Sequence, residues 1–244
     1  YDDMRQRTKR GKGVTNCLGR ILLWRDRQPN KLAIWESRED TTTFRELLDL
    51  ASKYQQALIQ RGFSEGDTLL LAIPPGKVAY ACYCAVLGLG GRLMFMEPWL
   101  DVESIDYALQ MAGPKFLLAK STHLRMLSRV PAVRSIPNRL TPSDLTASSH
   151  AEFCLSEVDG DTGATITFSS GSQGRPKAVI RSHKYTLNLV DILTEGGCRD
   201  PYPEPDLTIF PAIGVLHLFS GRGTIIISQG ATQRQLQKTA KAAA

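Results

Sequence analysis

A chain of 244 residues in which 42% are hydrophobic is long enough to bury a sizeable core, as one large domain or two small ones. The formal net charge of +6 is concentrated in residues 1–27, where Arg5, Arg7, Lys9, Arg10, Lys12, Arg20, Arg25 and Arg27 stand against Asp2, Asp3 and Asp26. No aromatic residue interleaves with these charges before Trp24, so a solvated leader is expected over 1–13 rather than a specific nucleic-acid site, with peripheral membrane contact left open.

The leader "YDDMRQRTKRGKG" also lacks the apolar segment of a secretory signal. Cys17, Cys82, Cys84, Cys154 and Cys198 show neither a framework spacing nor a CxxC pair, which predicts reduced, buried thiols and a cytoplasmic setting. The apolar run "VAYACYCAVLGLG" is interrupted by glycine and meets Arg92 too early to span a bilayer, so no transmembrane segment is expected.

In chain order, Cys17, Ile21, Leu22 and Trp24 recur on one side of a predicted helix that Pro29 and Asn30 end, and "KLAIW" starts a strand. "TTTFRELLDLASKYQQALIQRG" is a second helix, with Phe44, Leu47, Leu48, Leu50, Ala51, Tyr54, Leu58 and Ile59 at helical spacing and Gly62 at its C-cap. "TLLLAIPP" is the continuous apolar run of a strand covered on both faces. A helix over "VAYACYCAVLGLGG", a strand at "RLMFMEP", a helix at "DVESIDYALQMAG" and a strand at "KFLLAK" follow. Strands alternating with helices predict a doubly wound α/β fold with mostly parallel sheets and flanking helices.

Residues 121–150 carry Pro131, Pro137 and Pro142 among Ser and Thr, and read as a connector after a first subdomain over 14–120. A second subdomain is expected over 151–230. It has a strand at "GATITFSS", a helix at "SHKYTLNLVDILTEGG" with Ser182 as N-cap, a return to the sheet at "LTIFPAIGVLHLFSGRG", and a strand at "TIIIS". Residues 231–244 are polar and Ala-rich, with no apolar face, and read as a tail.

The chemistry-bearing stretch is "FSSGSQGRPKAVIRSH". A strand that empties into Ser169, Ser170, Gly171, Ser172, Gln173 and Gly174 offers successive backbone N–H groups and hydroxyls, and Lys177 adds a mobile cation, which together suit a polyphosphate. A Ser/Gly stretch alone is also what a plain turn needs. Pro-Lys-Ala stands where a Walker A motif requires Gly-Lys-Ser or Gly-Lys-Thr, so a P-loop NTPase is not indicated. No metal-ligand cluster is expected.

This stretch resembles the phosphate loop of the adenylate-forming superfamily, which includes acyl-CoA synthetases, peptide-synthetase adenylation domains and luciferases. "TTTFRELLDLASKYQQALIQRGFSEGDTLLLAIPPG" and "AVLGLGGRLMFMEPWLDVESIDYALQMAGPKFLLA" resemble that family's preceding segments, in the same order. The resemblance implies the N-terminal domain of such an enzyme, incomplete here. It also implies ATP with Mg, a small carboxylic acid activated as an acyl-adenylate, and coenzyme A as an acyl acceptor. Ser169, Ser170, Gly171, Ser172, Gln173, Gly174 and Lys177 would line the triphosphate.

Gln173 and Ala178 depart from the family's usual hydroxyl residue and Gly. Gly214 stands where the family's Pro-x-Phe-His pattern puts a histidine, which leaves His217 as the candidate for the substrate pocket. No segment resembling the family's adenine- and ribose-binding motifs follows "TIIISQG". The expectation is therefore a fatty acyl-CoA synthetase-like ligase whose 244-residue chain is inactive alone. The alternatives are a non-catalytic nucleotide-binding or interaction module, and part of an olefin β-lactone synthetase.

Overall fold

The computed structural model describes residues 15–95, 100–146, 152–169, 176–195, 205–208 and 211–227. The first helix among the described residues, α1 (Gly19–Arg27), leads to the antiparallel pair β1 (Leu32–Trp35) and β2 (Thr41–Thr43). Helix α2 (Phe44–Gln60) begins on a reciprocal cap: the Thr43 hydroxyl accepts the Glu46 N–H at 3.3 Å, and the Glu46 carboxylate accepts the Thr43 N–H at 2.8 Å. It stops where Gly62 turns left-handed at φ 81°, the Phe63 N–H closing back onto the Leu58 carbonyl at 3.0 Å.

The larger sheet has six strands: β3 (Thr68–Ala72), β4 (Arg92–Phe95), β5 (Phe116–Ala119), β6 (Asn138–Leu140), β7 (Gly163–Ser169) and β8 (Lys177–Ser182). They lie in the order β6-β5-β3-β4-β7-β8, all parallel except β8, which runs antiparallel to β7. Between them run α3 (Lys77–Gly88), α4 (Val102–Ala112), α5 (Ser121–Leu127), α6 (Pro131–Arg134) and α7 (Pro142–Thr146). Leu69, Leu71, Leu93 and Leu118 point to one face, into the core shared with α2 and α3. Leu70, Met94, Leu117 and Ile166 point to the other, into the core shared with α4, α5 and α6. Cover on both faces is why "TLLLA" reads as a continuous apolar run.

Helix α8 (His183–Glu195) follows β8. Strand β9 (Asp206–Thr208), α9 (Pro211–Phe219) and β10 (Thr224–Ile226) then complete a second, four-stranded sheet in the order β2-β1-β10-β9, with β1, β10 and β9 parallel. Helix α3 packs against both units. Tyr83 lies 6.3 Å from the ring of Phe95 on β4 and 6.3 Å from that of Phe219 on α9. Ala79 through Gly88 are buried on every side, so α3 is apolar all round because it is a core helix. No described helix is long and apolar enough to cross a membrane. Cys17, Cys82 and Cys84 are free and buried, whereas Cys154 is exposed, against the expectation of buried thiols throughout.

Two stretches fold differently from the sequence expectation. Of the stretch 121–150, expected as a connector, the described part, 121–146, forms α5, α6, β6 and α7, because Val130, Val133, Ile136 and Leu140 bury apolar side chains around the prolines and Pro131 starts α6. Strand β7 pairs in parallel with β4, so residues on both sides of that stretch share one sheet. The run Pro211–Phe219, expected to return to the sheet, is helix α9; a short apolar run does not by itself distinguish a strand from a buried helix.

Candidate nucleotide site

The candidate site grows from the β7–β8 hairpin. Ser169 and Lys177 are register partners at its end, so Ser170, Gly171, Ser172, Gln173 and Gly174 fall in the loop these two residues close; those five lie outside the described residues. Paired antiparallel residues have Cα atoms about 5 Å apart. The exposed Ser169 hydroxyl and the exposed Lys177 ammonium therefore flank the base of the loop.

Alternation along the hairpin separates two faces. Thr165, Thr167 and Ser169 stand opposite Arg181, Val179 and Lys177, which gives one face a row of hydroxyls and two cations. Ile166 and Phe168 point the other way into the core, with Ala178 packed against them. Arg181 donates to the Thr167 hydroxyl at 2.5 Å and lies 5.9 Å over the Tyr185 ring, bracing the hairpin. The motif did not mark Arg181, but strand alternation from Lys177 places both cations on one face.

The hairpin loop opens at the carboxyl end of β7, beside those of β4 and β3. Helix α3 carries the chain from β3 to β4 on one face, and α4 carries it from β4 back across β3 to β5 on the other. Connections that diverge this way leave a crevice at the strands' carboxyl ends, where open α/β sheets bind ligands. The four-stranded sheet turns its own carboxyl ends to the same region. Glu36, just past β1, seats its carboxyl over Gly76 at the start of α3, where a Cβ would come 2.4 Å from Oε1. Burial pushes the Glu36 carboxyl up, against the opposing pull of the Lys77 backbone N–H. Lys77 pairs with Asp40 at 2.5 Å, which holds its ammonium above the usual range.

The Ser-His pair after the loop is structural. Ser182 caps α8 by accepting the Tyr185 N–H at 3.1 Å. His183 is fully buried; its Nδ1 accepts the Cys17 N–H at 3.2 Å and lies 3.2 Å from the Cys17 Sγ, fastening α8 to the turn ahead of α1. Burial lowers its pKa to about 4, so the ring is neutral near pH 7.

His217 is not brought to the hairpin. It sits in the last turn of α9, with Nδ1 3.4 Å from the Thr224 hydroxyl and Nε2 3.8 Å from Asp206, which Arg222 also grips. Burial lowers its pKa, with Asp206 opposing and Arg222 reinforcing the shift. Asp206 and Thr224 are the first residues of β9 and β10, at the ends away from the crevice. Gly214, three residues earlier, lies about 4.5 Å closer to the crevice along the helix axis. A Cβ there would meet the Tyr80 hydroxyl at 2.2 Å, so a histidine has no room at that position.

Among the described residues no group of three or more His, Cys, Asp or Glu is placed to hold a metal ion, and the loop's base offers a hydroxyl and an ammonium rather than carboxylates. The described residues do not fit a protein-held Mg.

A doubly wound α/β domain with a Ser/Gly hairpin loop at the carboxyl ends of its strands is a nucleotide-binding architecture. The sequence model described as "AMP-binding enzyme" matches residues 23–241, and the chain belongs to that family. It is 24% identical over 174 residues to the uncharacterized acyl-CoA ligase YtcI of Bacillus subtilis, a match covering 68% of this chain and 31% of that protein. It is 24% identical over 162 residues to surfactin synthase subunit 1 of Bacillus subtilis, covering 66% of this chain and 4% of that one. Among solved structures, ATP-bound MatB from Rhodopseudomonas palustris superimposes with a TM-score of 0.79 at 20% identity, over 95% of this chain and 48% of MatB. The o-succinylbenzoate CoA synthetase MenE of Bacillus subtilis with AMP gives 0.79 at 16% identity, over 91% and 59%. The chain thus spans about half the length of these structures, and at this identity the likeness establishes the fold.

Proposed function

We propose that this chain supplies the triphosphate-binding part of an ATP-dependent acid ligase that activates a carboxylate, a fatty acid by this reading, as an acyl-adenylate for transfer to coenzyme A. The observation that carries the proposal is the hairpin whose Ser169 and Lys177 face each other at the base of the Ser/Gly loop, at the carboxyl end of a parallel sheet. Backbone N–H groups of Ser170, Gly171, Ser172, Gln173 and Gly174 would hold the outer phosphates, with the Lys177 cation neutralising charge as pyrophosphate leaves; such chemistry rests on positioning and charge stabilisation. The carboxylate would enter from the side where the carboxyl ends of the two sheets converge, near the start of α3 and the first turns of α9 rather than at His217.

The 244-residue chain, spanning about half of its structural neighbours, is proposed to bind ATP but to turn over little by itself. ATP binding by equilibrium dialysis tests the loop: Lys177→Ala is expected to weaken it about 10- to 100-fold, the worth of one hydrogen bond to a charged group. Unchanged affinity would make the loop a plain turn. Carboxylate-dependent pyrophosphate release is expected from a longer form carrying the rest of the family's length, and silence of that form with every acid offered would end the ligase proposal.

A further inference from the structure

From Lys115 to Ser143 the sequence has Lys115, Lys120, Arg125, Arg129, Arg134 and Arg139 and no Asp or Glu. Arg125 lies on α5, Arg134 on α6 and Arg139 on edge strand β6, with Lys120 at the N-cap of α5 and Arg129 in the turn between the two helices, which pack on the same face of the sheet through Leu127, Val130 and Val133. Arg134 donates to the Ser128 carbonyl at 2.8 Å, drawing the end of α6 against the end of α5. Lys120, Arg125, Arg129, Arg134 and Arg139 are all exposed. Of the acids beside the run, Asp67 is engaged by Lys115 at 2.5 Å, Asp144 by Arg61 at 3.8 Å, and Asp106 on α4 by the Ala132 N–H at 2.7 Å.

One large apolar side chain interrupts the cations. Met126 on α5 is 61% exposed, next in sequence to the exposed Arg125 and three residues ahead of the exposed Arg129. Of Phe, Trp and Tyr the run has Phe116 alone, buried at 1%, and the His123 ring on α5 is half-buried, so the patch offers a nucleic-acid base little to stack on. Cations around an exposed flexible apolar side chain suit an anionic bilayer: the charges meet lipid headgroups while the thioether enters the acyl boundary.

We propose that the α5–α6–β6 corner is a docking surface for an anionic membrane, separate from the hairpin loop. The test is cosedimentation of the full chain with vesicles of phosphatidylcholine containing phosphatidylserine. Binding is expected to fall as salt is raised and to weaken by at least about tenfold in Lys120→Glu/Arg125→Glu/Arg129→Glu. Met126→Ser should weaken it further. Neutralising the leader at Arg5, Arg7, Lys9, Arg10 and Lys12 should leave most of the binding in place. Because the three substituted side chains are exposed, the urea midpoint of the triple variant should match the parent's; the neutral Gln triple serves if it does not. The proposal is overturned if the parent does not bind these vesicles, if it binds pure phosphatidylcholine equally, if the leader variant abolishes binding while the triple variant keeps it, or if the three residues capture duplex RNA or polyglutamate instead of vesicles.

Discussion

Gly214→Ala isolates the contact that keeps a side chain out of the middle of α9. Two effects oppose each other. Replacing glycine with alanine inside a helix gains up to about 1 kcal/mol. The new methyl would stand 2.2 Å from the Tyr80 hydroxyl, 3.0 Å from its ring carbon Cζ and 3.2 Å from the Thr224 hydroxyl. Tyr80 is a rigid ring at 2% exposure, so its tip cannot swing aside as a lysine end would, and relief requires α3 and α9 to move apart. Overpacking of this kind costs about 1–3 kcal/mol. The clash should therefore win, leaving Gly214→Ala about 1–2 kcal/mol less stable and lowering Tm by about 2–8 °C for a chain of this size. Urea unfolding with an unchanged m-value reads the loss. Tyr80→Phe removes the atom in conflict, so the double variant should recover most of the deficit relative to Tyr80→Phe alone. Full stability of Gly214→Ala, or strictly additive single effects, would refute the close approach of α3 and α9.

Acidification should destabilise the fold before its carboxylates titrate. The pKa of His183 is lowered from 6.5 unfolded to about 4 folded, so its contribution is complete above about pH 6.5 and is lost as pH falls towards 4, amounting to ~2 kcal/mol between pH 7 and 5. Urea midpoints of the parent and His183→Asn across that window check this; Glu36, whose pKa is raised, works in the opposite sense and is common to both proteins. Thr43→Ala removes the reciprocal cap of α2 and should cost about 1 kcal/mol in the same assay. Arg181→Met keeps much of the side chain's bulk but loses the tie to Thr167, and should weaken ATP binding severalfold with a change in urea midpoint too small to explain it.

The alternation of strands and helices was legible because each carries its own period and boundary signals. Thr43 and Glu46 announce the start of α2, Gly62 ends it, and the unbroken "TLLLA" reports a strand covered on both faces. The strand that leads into the Ser/Gly stretch was legible as well, from its β-branched and aromatic residues ahead of a turn-forming run; the run itself lies outside the described residues. Helix α9 was not legible, because "PAIGVLHLF" is apolar at nearly every position and lacks a period to read. Nor was the place of β6, since a three-residue edge strand among prolines carries almost no local signal and is defined by pairing with β5. The two histidines illustrate the same limit. His183 follows a serine in a motif that suggests chemistry, yet its partner is Cys17, separated by 166 positions in the chain.

The placement of His217 follows from how parallel strands are connected. A helix that joins β9 to β10 must begin at the carboxyl end of the first and finish at the amino end of the second, so each turn of α9 carries its side chains about 5.4 Å further from the crevice. His217, in the last turn, therefore lies towards the amino ends of the strands, where Asp206 and Thr224 begin and receive it. Gly214, three residues earlier, is pressed on Tyr80, which belongs to the same helix α3 whose first residues meet Glu36. Helix α3 and the turn before it thus touch both the end of β1 and α9, joining the two sheets. In a longer form carrying the rest of the family's length, His217→Ala should lower stability through loss of its packing against Asp206 and Thr224, while leaving KM for the acid unchanged. A rise in KM for the acid without a change in stability would return His217 to the substrate pocket.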